Sequence, residues 1–143
     1  MMAMGYRFLD HMTDAIIEAY GTTLEEAFEN AALGLIDTMI DLKTVRPEKK
    51  IKITAKGHDL YSLLFDWLDK VLLLLVADWM AMSQFSTKIR QHNNGYSIEG
   101  TARGETLDLE RHRYKVEIKA MTYHEMEIKQ EKEMVTVRFL VDL

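Results

Sequence analysis

Two stretches of the chain carry apolar residues at the three-to-four-residue spacing of an amphipathic helix. The first runs from about Leu24 to Ile40, and two pairs just before it, Thr22 with Glu25 and Thr23 with Glu26, each match the capping box of a helix start. The second begins near Asp59, whose residue type is favoured at a helix N-cap. This second helix is apolar on most of its sides, which predicts that it lies at the centre of the core or is covered by a partner.

Most of the remaining chain alternates apolar and polar residues with period two, which is typical of half-buried strands. Such strands are predicted at 50–55, 116–121 and 135–141. Asn93-Asn94-Gly95 separates two further alternating runs and predicts a hairpin, because Asn and Gly tolerate positive φ. The pattern therefore predicts one α+β domain spanning residues 1–143, with two helices packed on a mainly antiparallel sheet.

The composition excludes several classes of site. The chain has 143 residues and no cysteine, which excludes a disulfide scaffold, thiolate-bound zinc, an iron–sulfur cluster and thiol catalysis. It has 23 acidic against 18 basic residues, and the net charge of −5 predicts no strong direct nucleic-acid binding. Lys49, Lys50, Lys52 and Lys56 are nevertheless close enough in sequence to form a local basic face.

No segment has the composition of a membrane anchor or a signal peptide. The longest apolar run covers residues 71–77, whereas a helix needs about 20 apolar residues to cross a bilayer. The N-terminal stretch up to Asp10 holds one Arg and no continuous apolar core. We therefore expect a cytoplasmic protein without a membrane association.

Acidic residues near both ends of the chain form two candidate cation sites. Asp10, His11 and Asp14 lie between two strand-like segments, where carboxylates could bind Ca²⁺ or Mg²⁺ or simply make local turn hydrogen bonds. At the other end, Asp142 lies next to the terminal carboxylate of Leu143. If the last strand is docked, these two negative groups repel unless a cation or a base neutralises them. A solvated, frayed terminus is the ordinary alternative.

The other titratable residues form no recognisable catalytic motif. Glu105 or His112 could serve as a general acid or base, although the mixed-charge segment 104–113 is more typical of a solvated loop. His58, His92 and His124 are scattered and give no zinc-ligand spacing. The phosphate-binding loop, the dinucleotide fingerprint and the nucleophile elbow are all missing from the sequence. The sequence therefore predicts no catalytic residue.

Several segments, in order along the chain, resemble the motifs of a known family. Residues 10–16, DHMTDAI, are similar to the opening DHTADI signature of the archeases, and residues 21–32 resemble the helix that follows it. Residues 63–69 resemble the second helix of the family. The late family motif resembles Gly104-Glu105, Asp108, His112 and residues 117–124. The chain ends in Asp142-Leu143, where the family typically ends in Asp-Ile.

The resemblance implies the function of an archease. Archeases are small, non-enzymatic activators of the RtcB-type tRNA-splicing ligase. They promote guanylylation of the ligase's active-site histidine, support multiple turnover and can broaden the use of nucleotides. Members of the family bind a divalent cation, typically calcium, through the signature Asp, the penultimate Asp and the terminal carboxylate. The corresponding residues here are Asp14, Asp142 and Leu143, so the resemblance implies a site for Ca²⁺, or for another divalent cation, at these residues.

Two departures from the family pattern leave these implied ligands in place. Met12-Thr13 stands where the family usually has Thr-Ala, and neither position is an implied ligand. The final residue is Leu instead of Ile, and only its main-chain carboxylate is required.

Two alternative functions stay open at the level of the sequence. One is a metal-dependent hydrolase that uses Asp14 and Asp142 with His11 or His124, which would need an open coordination position beside a substrate-sized pocket. The other is a chaperone-like protein-binding module that uses the apolar helix surface and the methionines.

Overall fold

Two antiparallel sheets and two long helices make up the described part of the chain. The structure is a computed structural model that describes residues 5–9 and 13–143. Its elements in chain order are β1 (Tyr6–Leu9), β2 (Asp14–Gly21), α1 (Leu24–Met39), a short 3₁₀ helix (Leu42–Thr44), β3 (Lys49–Gly57), α2 (Leu60–Val76), β4 (Met80–His92), β5 (Gly95–Thr106), β6 (Ala120–Met121), β7 (Glu127–Gln130) and β8 (Val135–Asp142). Within these described ranges, no helix combines the length and hydropathy needed to span a bilayer.

The strands divide between a five-stranded and a three-stranded sheet. In the larger sheet the order is β1-β2-β8-β6, and β7 also pairs with β8. In the smaller sheet the order is β3-β5-β4, and the predicted Asn93-Asn94-Gly95 turn joins β4 to β5. The α+β class with two helices packed on antiparallel strands is confirmed, although the strands form two sheets and not one.

Side-chain hydrogen bonds fix where both helices begin. Thr23 Oγ1 accepts the Glu26 N–H at 3.1 Å at the start of α1. Asp59 Oδ1 accepts the Ser62 N–H at 2.8 Å, and Ser62 Oγ accepts the Asp59 N–H at 3.1 Å, which is a reciprocal capping box at the start of α2. Both predicted helix starts are confirmed, and the cap of α1 is Thr23 and not Thr22. These caps satisfy amide donors that the first helical turn leaves unpaired.

Trp67 of α2 ties both helices to the three-stranded sheet. Its side chain is fully buried, and its indole Nε1–H donates to the Phe28 carbonyl of α1 at 3.0 Å. Its ring meets the Phe85 ring of β4 edge-on, with the ring centroids 5.7 Å apart. On β5, a Cβ at Gly100 would lie 3.0 Å from the indole, so glycine lets the sheet approach closely. Trp67 therefore buries a large apolar surface while its one polar group keeps a partner.

The predicted strand at 116–121 is wrong over most of its length. Only Ala120–Met121 pairs with β8, as the short strand β6. The residues just before it bind the end of α1 instead. The Lys115 N–H donates to the Met39 carbonyl at 2.7 Å, and Lys115 Nζ donates to the Asp37 carbonyl at 2.7 Å. These carbonyls belong to the last turn of the helix, where they lack helical partners. Because Lys115 satisfies them, the residues that follow it do not start a strand at 116.

Candidate metal centre

The pairing of β2 with β8 brings the two ends of the sequence together. The antiparallel register runs from Asp14 opposite Asp142 to Gly21 opposite Val135. Directly opposite residues lie on one face of a sheet with Cβ atoms about 4.5–5.5 Å apart. The two aspartates that the sequence nominates as ligands are therefore neighbours at one end of the larger sheet.

The chain terminus is docked at the same end of the sheet. The Lys119 N–H donates to the Asp142 carbonyl at 2.8 Å, and Ala120 of β6 is paired with Asp142. Leu143 is half-buried and packs against the hydrophobic core. The last strand is thus held up to its final residues, and the frayed terminus considered from the sequence is not what the structure has. The terminal carboxylate, one residue beyond Asp142, belongs to this end of the sheet.

We define the acidic centre as Asp14, Asp142 and the terminal carboxylate of Leu143. Like charges directly opposite each other destabilise a strand pair. Asp14 is half-buried whereas Asp142 is exposed, so water screens the charge of Asp14 less effectively. The donors are all carboxylate oxygens, the type that hard cations such as Ca²⁺ prefer. The residues present therefore fit a divalent cation, whose charge would offset their repulsion.

The remaining residues of the N-terminal candidate set, Asp10 and His11, lie outside the described residues. In the ranges 5–9 and 13–143, side chains of His, Asp and Glu form no cluster of three or more that could hold a metal ion. The acidic centre supplies only two such side chains, because its third donor is a main-chain carboxylate. The ligand role of Asp14, Asp142 and Leu143 stays a prediction.

Glu105 and His112 form a buried cluster, so the solvated loop expected for them is wrong. Glu105 is 7% exposed and His112 is fully buried. Glu105 Oε2 accepts the Arg46 N–H at 2.8 Å. The same oxygen lies 2.5 Å from Arg111 Nη2 and 2.9 Å from His112 Nε2. His112 Nδ1 accepts the Asp108 N–H at 3.0 Å, which assigns the ring proton to Nε2.

The donors around Glu105 keep its carboxyl ionised. Burial alone would raise the pKa of Glu105, but hydrogen bonds from Arg111, from the Arg46 N–H and from His112 outweigh it and lower the pKa to about 2. The cluster fastens the loop after β5 to the connection before β3. An ionised carboxylate with this set of donors is a structural anchor and is unsuited to act as a general acid at neutral pH.

Sequence reasoning missed a second buried carboxylate, Glu18 of β2. Glu18 is 6% exposed and lies opposite Arg7 of β1 and Arg138 of β8 in the strand register. Its carboxylate accepts hydrogen bonds from Arg7 Nε at 3.0 Å, from Arg138 Nη2 at 3.1 Å and from the Tyr20 hydroxyl. Burial opposes ionisation, yet these donors lower the pKa of Glu18. The only sequence signal is an acidic residue inside an otherwise apolar strand, which says nothing about its distant partners.

Comparisons with known proteins decide the family. A profile of the archease protein family matches residues 6–143. The chain belongs to the archease family. It is 38% identical to protein archease of Methanothermobacter thermautotrophicus over 139 residues, which cover 97% of this chain and 99% of the relative. It is 40% identical to protein archease of Methanosarcina barkeri over 139 residues, covering 96% of this chain and 95% of the relative.

A solved structure shares the archease fold. The solution structure of protein 1598 from Methanobacterium thermoautotrophicum matches with a TM-score of 0.83 and 38% sequence identity. The match covers 97% of this chain and 99% of that chain. The family resemblance drawn from the ordered motifs is thereby confirmed, and the fold applies to nearly the whole chain.

The Glu105 cluster predicts a specific acid sensitivity. Because the pKa of Glu105 falls from 4.5 to about 2 on folding, its contribution to stability is complete above about pH 4.5 and is lost as the pH falls towards 2. Glu105→Gln should lower the free energy of unfolding at pH 7 by about 1.5–3 kcal/mol, since charged hydrogen bonds are lost. Urea denaturation between pH 2.5 and 7 measures both effects.

The matched control is Glu99→Gln, which changes an exposed carboxylate of β5. The difference in stability between wild type and Glu105→Gln should shrink as the pH falls, whereas the Glu99→Gln difference should stay small. A Glu105→Gln difference that is constant with pH would contradict the ionised anchor.

Proposed function

We propose that this archease is a non-catalytic activator of an RtcB-type tRNA-splicing ligase. It promotes guanylylation of the ligase, sustains multiple turnover and broadens the use of nucleotides, with a divalent cation bound. Membership of the archease family supports this function, and so do the family motifs, which run in order to Asp142-Leu143. No residue of the chain is assigned a catalytic role.

The observation that carries the cation part of the proposal is the register of Asp14 opposite Asp142. We propose that these two side chains and the carboxylate of Leu143 hold Ca²⁺ or a related hard cation. A cation bound there neutralises the acidic centre and fastens the start of β2 to the end of β8. An ion that binds the folded chain but not the unfolded chain also stabilises the fold by mass action.

An exposed apolar groove beside the acidic centre supports a protein as the partner. The groove has a volume of about 410 Å³, and Val76, Trp79, Leu109 and Tyr114 line it together with Lys119, whose N–H holds the Asp142 carbonyl. The four apolar side chains are 37–50% exposed. Exposed apolar surface of this kind is typical of protein–protein contacts. We place the ligase contact on this groove and the acidic centre.

The same groove bears on the two alternatives. Its mainly apolar lining suits a protein surface better than the polar substrate of a metal-dependent hydrolase. A chaperone-like module would use the same exposed side chains for unrelated proteins. It is distinguished by measuring whether the archease suppresses the aggregation of proteins other than the ligase.

The activator function is tested by ligation under multiple-turnover conditions. The archease is added in substoichiometric amount to its cognate ligase with GTP, Mn²⁺ and cleaved RNA. We expect many ligation events per ligase, because the activator restores the guanylylated form after each cycle. Ligation that stops at one product per ligase would contradict the proposed function.

The acidic centre is tested by calorimetric titration with Ca²⁺. Asp14→Asn and Asp142→Asn should each weaken Ca²⁺ binding at least about tenfold, since each removes one anionic oxygen ligand. A residue added after Leu143 should do the same, because it moves the terminal carboxylate. The matched control is Glu133→Gln, an exposed carboxylate in the β7–β8 turn. Unchanged affinity in both Asp variants would remove the site, and unchanged affinity in the extended chain would remove Leu143 from it.

A further inference from the structure

The three-stranded sheet turns one face to the core and the other to solvent. Ile53, Ile98 and Ala102 are buried on the inner face, near Trp67. The outward residues, which alternate with the buried ones, form a regular grid across the three strands. We define the basic face as Lys50, Lys52, Thr54 and Lys56 of β3, Ser97, Glu99, Thr101 and Arg103 of β5, and Gln84, Ser86, Lys88 and Arg90 of β4.

The basic face carries a charge opposite to that of the whole chain. Its twelve positions hold six Lys or Arg residues and one acidic residue, Glu99, and no apolar residue. The face therefore contributes +5, and because the net charge is −5, the other residues together carry −10. The net charge of the chain conceals a strongly segregated surface.

The six cationic side chains of the basic face are available to a ligand. Across the described ranges, none of them makes a hydrogen bond or ion pair with a protein group. Buried or partly buried carboxylates elsewhere do bind their basic neighbours, as Glu18 binds Arg138 and Glu105 binds Arg111. The charge of the basic face is thus not used within the fold.

The geometry of the face suits an extended polyanion. Outward residues along one strand are about 6.6 Å apart and neighbouring strands about 4.8 Å apart, so the grid measures roughly 20 by 10 Å. At the end near the β4–β5 turn the surface is concave, with a groove of about 700 Å³ whose lining includes Lys56, His92, Tyr96, Ser97 and Glu99. The cations therefore form rows and not a single point site.

We infer that the basic face binds the phosphate backbone of RNA. It lacks the aromatic and apolar anchors that dominate protein interfaces, which argues against a protein ligand. Its twelve positions also include no aromatic residue on which an unpaired base could stack, so contact on the face is with phosphates and is independent of sequence. The choice of RNA over DNA rests on the proposed function, since the ligase joins RNA. Binding is modest and salt-dependent, in keeping with the acidity of the rest of the chain.

The test is fluorescence anisotropy of a labelled single-stranded 20-nucleotide RNA with the archease alone, from 25 to 300 mM KCl with EDTA. Each phosphate contact contributes a slope of about −0.7 in log K against log salt, so the wild type should show a slope between about −2 and −4. Lys52→Gln with Lys88→Gln should weaken binding at least about fivefold at 50 mM KCl and reduce the slope by about 1.4.

Two control variants keep the test independent of folding. Lys43→Gln with Lys132→Gln removes the same charge from exposed positions off the basic face and should leave binding unchanged. Glu99→Gln removes the one acidic residue of the face and should strengthen binding about twofold or more. A gain of affinity cannot arise from a damaged fold.

Three results would overturn the inference. The first is RNA binding that is undetectable at 50 mM KCl or insensitive to the basic-face variants. The second is self-association of the double lysine variant, seen by sedimentation, with unchanged RNA binding. That result would assign the lysines to protection of the edge strands β3 and β4. The third is RNA binding that does not weaken as the salt concentration rises, because phosphate contacts by lysine and arginine require that dependence. Because no ligase or divalent cation is present, a failure of the proposed activator function would not alter these outcomes.

Discussion

The β2–β8 ladder is the interaction on which the rest of this archease depends. It buries Ile17 and Phe139, which joins the two ends of the sequence within the core. Further along, the same ladder aligns Glu18 with Arg138, and the hydrogen bond between these opposite charges offsets the cost of burying them. At its end it places Asp14 opposite Asp142, two residues of the same charge. Apolar burial favours the ladder along its length, and the acidic centre opposes it at the end.

The cation that we propose for this end would change that balance, and it would thereby link one small site to both stability and function. The acidic centre lies on the five-stranded sheet, whereas the basic face lies on the three-stranded sheet. Trp67 and the two helices hold the sheets together, so the two charged surfaces keep a fixed relation. The net charge of −5 is the sum over the whole chain and describes neither surface.

Local signals predicted the elements, and long-range contacts decided the rest. The caps at Thr23 and Asp59 depend on residues three positions away, so the sequence pattern identified both helix starts. Only the last two residues of the predicted strand at 116–121 form a strand, β6, because Lys115 binds the distant end of α1. The period-two pattern of the sequence could not predict that long-range contact. The burial of Glu105 likewise depends on Arg46, far away in sequence. The acidic centre as a set was predicted from the family resemblance, since residues at opposite ends of the chain carry no local sign of their pairing.

The central claim is that a divalent cation closes the end of the β2–β8 ladder. Amide hydrogen exchange, compared in saturating Ca²⁺ and in EDTA, tests it directly. The account predicts that Ca²⁺ increases protection at residues 14–16 and 140–142, because neutralising the acidic centre suppresses local opening there. Amides near the β4–β5 turn, which belongs to the other sheet, serve as the internal reference and should change little. Unchanged protection at residues 14–16 and 140–142 in saturating Ca²⁺ would contradict the account.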